Sequence, residues 1–327
     1  MKNVLVTGGT GFIGSNLAVA LLGEGCNVRI LRRRESDMRA IGKADVEHCI
    51  GDIRDLPSVL RAMKGCDTVF HTAAVVSYWP RERERMYDVN INGTRNVVQA
   101  CLESGIDRLV HTSSVAAIGF PEHGAWADET NVFNWEPFNV GYRISKHRAE
   151  GEVSLGVKSG LPAVIVNPSI VVGPRDIHFN GGQIVRDIHK KRLFFYIEGG
   201  TNVVYVDDVV RGQLAAARQG RIGERYILCG ENLPLREVFR ITAEIVGGIV
   251  PRIRLAKPVV HTVAWIAEAI GNALNKKPWV TRELVARAGT KYYFSCEKAR
   301  KELGYTITPF REAIERTYDW YKQNDFL

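Results

Sequence analysis

Along the first half of the chain, short apolar runs alternate with longer segments whose apolar positions recur every three or four residues. Residues 3–7, 27–31, 46–50, 68–72, 108–113 and 163–167 are the short runs, and each is predicted as a strand buried on both faces. Residues 12–23, 56–64, 89–104 and 141–159 are predicted as helices, with Leu56, Val59, Leu60 and Met63 forming one stripe at helical spacing. Such alternation builds a parallel sheet covered by helices on both faces. The rhythm changes after Pro174. A basic, aromatic segment at 190–196 precedes an apolar run at 202–206, read as a return to the sheet, and 226–229 supplies a further short strand. From Asn232 onward the pattern is mainly helical and punctuated by Pro234, Pro251, Pro258, Pro278 and Pro309. The fold class predicted is α/β, a doubly wound parallel sheet with a smaller, mostly helical C-terminal lobe. The sheet domain is placed at residues 1–173, with 201–230 returning to it, and the substrate-binding lobe at 174–200 and 231–327.

At 327 residues the chain can bury a large core without disulfides or a structural metal. Its 45% hydrophobic and 24% charged residues are those of a globular protein, which excludes disordered and collagen-like classes. The net charge of +8 gathers in three places: Arg29 with Arg32 to Arg34, Arg81 with Arg83 and Arg85, and Lys190 with Lys191 and Arg192. No basic tail, zinc-ligand spacing or aromatic RNA-binding signature accompanies them, so a localised phosphate site is expected and a nucleic-acid partner is not. The six cysteines stand far apart, without a Cys-x-x-Cys pair, and read as reduced, mostly buried thiols. The first apolar run is broken by Gly8 and Gly9, and the longest, near 259–274, carries His261, Glu268 and Asn272. Neither a signal core nor a membrane span is expected, and a cytoplasmic address follows.

The first strand runs directly into Gly8-Gly9-Thr10-Gly11-Phe12-Ile13-Gly14 and then into a helix. That is the context of a dinucleotide loop: backbone lacking Cβ lets a pyrophosphate approach, and free N–H groups at a positive helix end bind it. The sheet is therefore of the Rossmann type. After its second strand an enzyme using NAD usually places an acid against the adenosine ribose. Arg32, Arg33 and Arg34 stand there instead. Guanidinium groups pair bidentately with phosphate, so NADP(H) is the predicted cofactor and NAD(H) the alternative. Asp52, just past the third strand, is placed to accept from the adenine amino group.

Tyr142 and Lys146 lie four residues apart on one face of a predicted helix, after a strand ending in Thr112-Ser113-Ser114. A cation near a phenol favours its exchange of protons near neutrality, so Lys146 is expected to draw down the pKa of Tyr142 and to hold the nicotinamide ribose. Ser114, at the C-terminal end of a strand, is chosen to bond the substrate oxygen, with Ser113 able to exchange roles. Asn90 would anchor water or main chain behind Lys146. Rings in the segments expected to line a pocket are Tyr78, Trp79, Trp126, Phe133, Trp135, Phe138, Phe194, Phe195 and Tyr196.

These pieces, together with Gly51-Asp52-Ile53, His71-Thr72-Ala73-Ala74, Asn90-Ile91-Asn92-Gly93-Thr94, Asn167-Pro168-Ser169, Gly173-Pro174 and Tyr205-Val206-Asp207-Asp208-Val209, resemble an extended short-chain dehydrogenase/reductase over essentially the whole chain. Within that superfamily the chain looks most like bacterial dihydroflavonol-reductase-like proteins, including hopanoid-associated sugar epimerases, with 3β-hydroxysteroid dehydrogenases as cousins. The resemblance implies a triad of Ser114, Tyr142 and Lys146. It places Ile53, Ala73 and Ala74 against the cofactor, Asn167, Pro168 and Ser169 beside the nicotinamide, and a homodimer through residues 89–104 and 141–159. Dehydratases of the family carry acids after the catalytic Ser or Thr, whereas Ser114 is followed by Val115-Ala116-Ala117. Net NADPH-dependent reduction of a hydrophobic or aromatic ketone or aldehyde to the alcohol is therefore expected, with Tyr142 giving the proton. The alternatives are a nucleotide-sugar epimerase using the same triad and a non-catalytic NADP-binding redox sensor.

Overall fold

The computed structural model describes residues 1–121 and 125–327. β1 (Asn3–Thr7), β2 (Asn27–Arg32), β3 (Glu47–Ile50), β4 (Thr68–His71), β5 (Arg108–Thr112), β6 (Ala163–Pro168) and, much later, β10 (Arg225–Leu228) form one sheet in the order β10-β6-β5-β4-β1-β2-β3. Every pair is parallel. The order reverses at β1, which lies between β2 and β4, so the crevice beyond their carboxyl ends is where this topology holds ligands. Register brings the strand ends level: Thr7 pairs with His71, His71 with His111, and Thr112 with Val166.

The two faces are packed independently, as a period of two requires. Val4, Val6, Ile30, Phe70, Val110 and Val164 pack on one side with α1 (Phe12–Gly23) and α7 (Val206–Gln219). Leu5, Leu31, Val69, Leu109 and Ile165 pack on the other with α2 (Leu56–Met63), α4 (Gly93–Ser104) and α5 (Gly141–Lys158). The third strand departs from expectation. As the sheet's edge it is mostly exposed rather than buried on both faces. The helix predicted from residue 89 starts earlier and is interrupted: α3 (Arg83–Tyr87) leads into a π-helical turn, Asp88–Asn92, before α4. Such widened turns gather at functional sites, and periodicity at 3.6 residues cannot register one.

The run at 202–206 is a strand, but not of the main sheet. β9 (Gly200–Tyr205) pairs parallel with β7 (Ile170–Val172) and antiparallel with β11 (Glu231–Pro234), forming a separate three-stranded sheet. Its apolar character required burial and left the partner open. β8 (Phe195–Tyr196) and β12 (Ile253–Arg254) make a third, two-stranded sheet. α6 (Gln183–His189), α8 (Leu235–Val246), α9 (Lys257–Ala273), α10 (Glu297–Leu303) and α11 (Phe310–Gln323) complete the later lobe.

Buried carboxylates join the two parts. Asp208, in the first turn of α7, accepts from the Thr308 N–H and Oγ1–H, both at 2.7 Å. Glu283 reaches across to the start of α5, where it accepts from the Gly141 N–H at 2.8 Å and pairs with Arg83. A helix N-terminus has N–H groups with no partner inside the helix, and a carboxylate there is favoured by charge as well as by hydrogen bonding. Glu283→Ala strands both donors and is expected to cost about 1–3 kcal/mol of stability. Glu283→Gln, which keeps an acceptor, should cost less; urea unfolding of the two variants measures the difference.

Candidate active site

The loop after β1 is tight for stated reasons. Gly8 sits at φ +72°, and a Cβ there would lie 2.7 Å from the Ala73 nitrogen; on Gly14 it would lie 2.2 Å from the Gly8 carbonyl oxygen. The Gly11 N–H closes the turn on that same oxygen at 2.9 Å. α1 then begins at Phe12 with Gly11 as its cap, no side chain bonding its first N–H groups and no acid in its first turn. Thr10 and Ile13 complete this cradle, and Ala73, which follows β4, forms its far wall with Ala74 next along. An anion fits here. Arg32 and Arg33 stand at the end of β2: Arg32 donates to His48 at 3.2 Å, while Arg33 is exposed and holds Glu35 only loosely, at 3.4 Å. The Asp52 carboxylate is gripped by Arg54 at 2.8 Å, which holds it below its usual range. The Ile53 side chain is core, packed against Gly93, and its main-chain carbonyl accepts from the Asn96 amide at 2.9 Å.

Lys146 is buried, and its ammonium donates to the Thr112 carbonyl at 2.8 Å. Burial lowers it to about 8, with Glu150 one turn later pulling the other way. The Tyr142 ring meets Tyr78 edge-on at 5.6 Å. The expectation that Lys146 draws the phenol down is not met in this geometry. Burial raises Tyr142 above its ordinary value, Tyr78 adds to this, and only the Ser114 hydroxyl and Arg143 oppose it. The Ser114 Oγ also accepts from the Ala116 N–H at 3.1 Å. Asn167 donates to the Ser114 carbonyl at 2.9 Å and to Glu150 at 2.6 Å. Pro168 offers its carbonyl 3.5 Å from the Ser114 hydroxyl.

Of the groups that hold these in place, sequence reasoning named Asn90, as an anchor of water or main chain, and gave no role to His71, Thr94 or Ser145. The Thr94 hydroxyl donates to the Asn90 carbonyl at 2.7 Å, so at 3.0 Å it accepts from His71 Nε2–H; Nδ1 of His71 must then accept from Thr7 at 2.7 Å. Burial lowers His71 to about 3, so the ring is neutral, as this tautomer requires. The Asn90 amide grips Val75 through both its carbonyl and its N–H, at 2.8 and 2.9 Å, and donates to Ser145 at 2.9 Å. Ser145 donates in turn to the Tyr142 carbonyl at 2.7 Å. Glu150 had a signal in its place four residues after Lys146; His71 and Thr94 stood in motifs that carry the family resemblance, without a role of their own.

The residues fit a dinucleotide on three counts: the uncapped glycine cradle, a buried ammonium with one acceptor, and buried Asn167 Oδ1, Ser113 Oγ and Ser169 Oγ, which have no partner among the described residues. A cavity of about 590 Å³ lies between Ile118, Phe120, Trp135 and Arg143 on one side and Arg287, Tyr292, Tyr293 and Phe294 on the other; Arg143 follows Tyr142 in the chain, and neither Tyr142 nor Ser114 is among its lining residues. Only Trp135 of the rings named from sequence lines it. Trp79 is buried and donates to Asn272 at 2.8 Å, Phe133 stacks on His147 at 4.1 Å, and Phe194 and Phe195 are exposed elsewhere. Arg143 lies 3.6 Å over Trp135 and Arg287 3.4 Å over Phe120, so these rings also carry cations.

The Lys146 value sets a pH dependence. Below about 8 the free protein already holds the ammonium that would donate to a ribose; above it, binding would first have to recover a proton. Dinucleotide affinity is expected to fall as pH rises through and beyond 8, and Lys146→Met should be weaker at every pH and flat across that range. Fluorescence titration with the dinucleotide from about pH 6.5 to about 9.5, at roughly half-unit steps, checks this.

Residues 4–229 match the model of the NAD dependent epimerase/dehydratase family. A Synechocystis sp. protein provisionally named dihydroflavonol 4-reductase is 34% identical over 98% of this chain and 95% of its own. Sterol demethylase protein B of Methylococcus capsulatus is 32% identical over 99% of each chain. Among solved structures, that of gox2253 superposes with a TM-score of 0.87 at 39% identity over the whole of both chains. The UDP-glucose 4-epimerase of Thermus thermophilus, solved in complex with NAD, gives 0.78 at 26% identity over 98% of this chain and 99% of its own. The family match begins in β1 and ends just past β10, spanning the whole main sheet and the site on its rim: this chain belongs to the NAD dependent epimerase/dehydratase family of extended short-chain dehydrogenases/reductases, nicotinamide-dependent enzymes acting on CH–OH groups.

Proposed function

We propose that the protein is an NADPH-dependent reductase of a ketone or aldehyde on a hydrophobic or aromatic small molecule. The observation that carries this reading is a ring-lined cavity whose wall includes Arg143, the residue after Tyr142. Flat rings suit an apolar or aromatic body better than a sugar. The bound cofactor would supply hydride. Gly8, Gly11, Gly14 and the start of α1 would hold its pyrophosphate, Arg32 and Arg33 its 2′-phosphate, and Lys146 its ribose, with Ala73, Ala74, Asn167, Pro168 and Ser169 along its nicotinamide half. Ser114 would donate to the substrate oxygen as negative charge grows there, and Tyr142, kept protonated by its burial, would give that oxygen its proton.

A second reading, the nucleotide-sugar epimerase, is favoured by one feature. Among the described residues the cavity lining carries Arg143, Arg287 and Lys291 and no carboxylate, a set able to meet a diphosphate. A screen following NADPH oxidation against aromatic, steroid and aliphatic ketones, with UDP-sugars assayed for epimerisation, separates the two. Turnover of UDP-sugars alone would overturn the reductase reading.

Tyr142→Phe is expected to cut reduction by about 10²-fold or more while leaving NADPH affinity nearly unchanged, since it removes a proton donor and not a cofactor anchor. Steady-state rates with parallel binding titrations measure both. NADP(H) should bind roughly tenfold or more tightly than NAD(H), as a charge-assisted pair to phosphate allows. Arg33→Asp should erase or invert that preference, read as a ratio of dissociation constants; equal affinities in the unaltered protein would sink this cofactor assignment.

A further inference from the structure

The large apolar side chains that stand exposed are concentrated in one part of the later lobe. α9 and the segment after it show Val259, Trp265, Ile266, Ile270, Leu274 and Trp279 to solvent, Trp279 at 78%. The helix is amphipathic in an unusual sense. A narrow seam of Val260, Ala264, Glu268 and Gly271 is buried, and much of the surface left outside is apolar. An apolar patch of this kind on a soluble surface marks a binding face.

Its chain neighbours continue the pattern. β12 leads through two residues into α9 and pairs with β8, and there Phe194, Phe195 and Ile253 are exposed beside exposed Lys191, Arg192, Arg252 and Arg254. This is the basic, aromatic segment that the catalytic site leaves unused. Further cations stand at the two ends of the helix, Lys257 at one and Lys276 with Lys277 at the other; Lys277 pairs with Glu82 at 3.1 Å, and Arg254 lies 3.9 Å from Glu198. The one acid within α9, Glu268, is buried and bonded to Arg282 at 2.7 Å, so the exposed face of the helix carries no carboxylate.

We propose that this face seats the protein on an anionic lipid bilayer, with the tryptophans and aliphatic side chains at the headgroup boundary and the surrounding lysines and arginines against lipid phosphates. Tryptophan suits that depth because its ring is apolar and its N–H is polar. A helix with an apolar outer face flanked by cations lies in the interface plane, and no helix of the described residues is long and apolar enough to cross a membrane. Charge decides against a second copy as the occupant: a two-fold contact through this face would press its cations together. The seat is also tied to the catalytic rim. Asn272 of α9 accepts from the Trp79 indole at 2.8 Å, and the neighbouring Tyr78 ring rests on Tyr142. The inference stands on the exposed face alone; if the reductase reading also holds, docking brings the crevice to the phase in which an apolar substrate dissolves.

The full chain is sedimented with vesicles of phosphatidylcholine mixed with phosphatidylglycerol, and with phosphatidylcholine alone. Pelleting with the anionic vesicles, weakened by added salt, is the expected result. The double variant Ile270→Glu, Trp279→Glu should reduce partitioning at least roughly tenfold while NADPH binding and the melting temperature stay as in the parent. Ile222→Glu, which alters an equally exposed apolar residue elsewhere, should leave partitioning unchanged. Trp265→Tyr should reduce tryptophan quenching by brominated lipid. No pelleting with anionic vesicles, or equal pelleting of the double variant, would overturn the proposal. So would a fall in light-scattering mass in the double variant, which would make this face a contact between copies. None of these outcomes depends on turnover, so failure here and failure of the reductase reading remain distinct.

Discussion

Polar groups buried beneath the catalytic rim must be paired, and the chain of bonds from Thr7 through His71 and Thr94 to Asn90 meets that demand. It ties the last residue of β1, which launches the phosphate loop, to the π-helical turn before α4. From Asn90 the same chain continues to Val75 and, through Ser145, to the Tyr142 carbonyl. The glycine cradle and the helix that carries Tyr142 are therefore positioned by one continuous set of bonds. Because each hydroxyl has one proton to give, the direction of every link is fixed, and so is the neutral tautomer of His71.

Burial also governs the charges. A desolvated lysine gives up its proton more readily and a desolvated phenol less readily, so Lys146 moves down the pH scale and Tyr142 moves up it. Glu150 restrains the first shift, and the Ser114 hydroxyl and Arg143 restrain the second. Glu150 in turn is shared with Asn167 and Arg225, so the acid that supports Lys146 is itself fixed from β6 and β10. The ionisation of the pair thus depends on residues scattered over several elements of the sheet domain.

The later lobe contributes through contacts that cross to this rim. Glu283 caps α5 just ahead of Tyr142, Asn272 receives Trp79, and Tyr292 stacks near Trp135 and Arg143. Rings in this protein serve more than one end: Trp135 walls the cavity and carries a guanidinium, whereas Trp79 is spent joining the lobes. Cations stacked on ring faces keep the cavity both apolar in shape and positive in charge.

Patterns local in sequence determined much of this. Short apolar runs and the helices between them specified the doubly wound sheet, because burial on both faces leaves an unbroken apolar run. The glycines of residues 8–14 specified the phosphate loop, because close backbone approach excludes Cβ. Four-residue spacing put Tyr142 and Lys146 on one helix face. What tertiary structure alone decided are matters of partnership between distant segments. β9 was legible as a strand, but its pairing with β7 and β11 was not, since apolar character demands burial without naming a neighbour. The π-turn at Asn90 has no periodic signature. Neither His71, kept neutral among Thr7, Thr94 and the buried sheet, nor Tyr142, raised rather than lowered, announces its environment in its neighbours along the chain, because desolvation is set by everything that packs around a group.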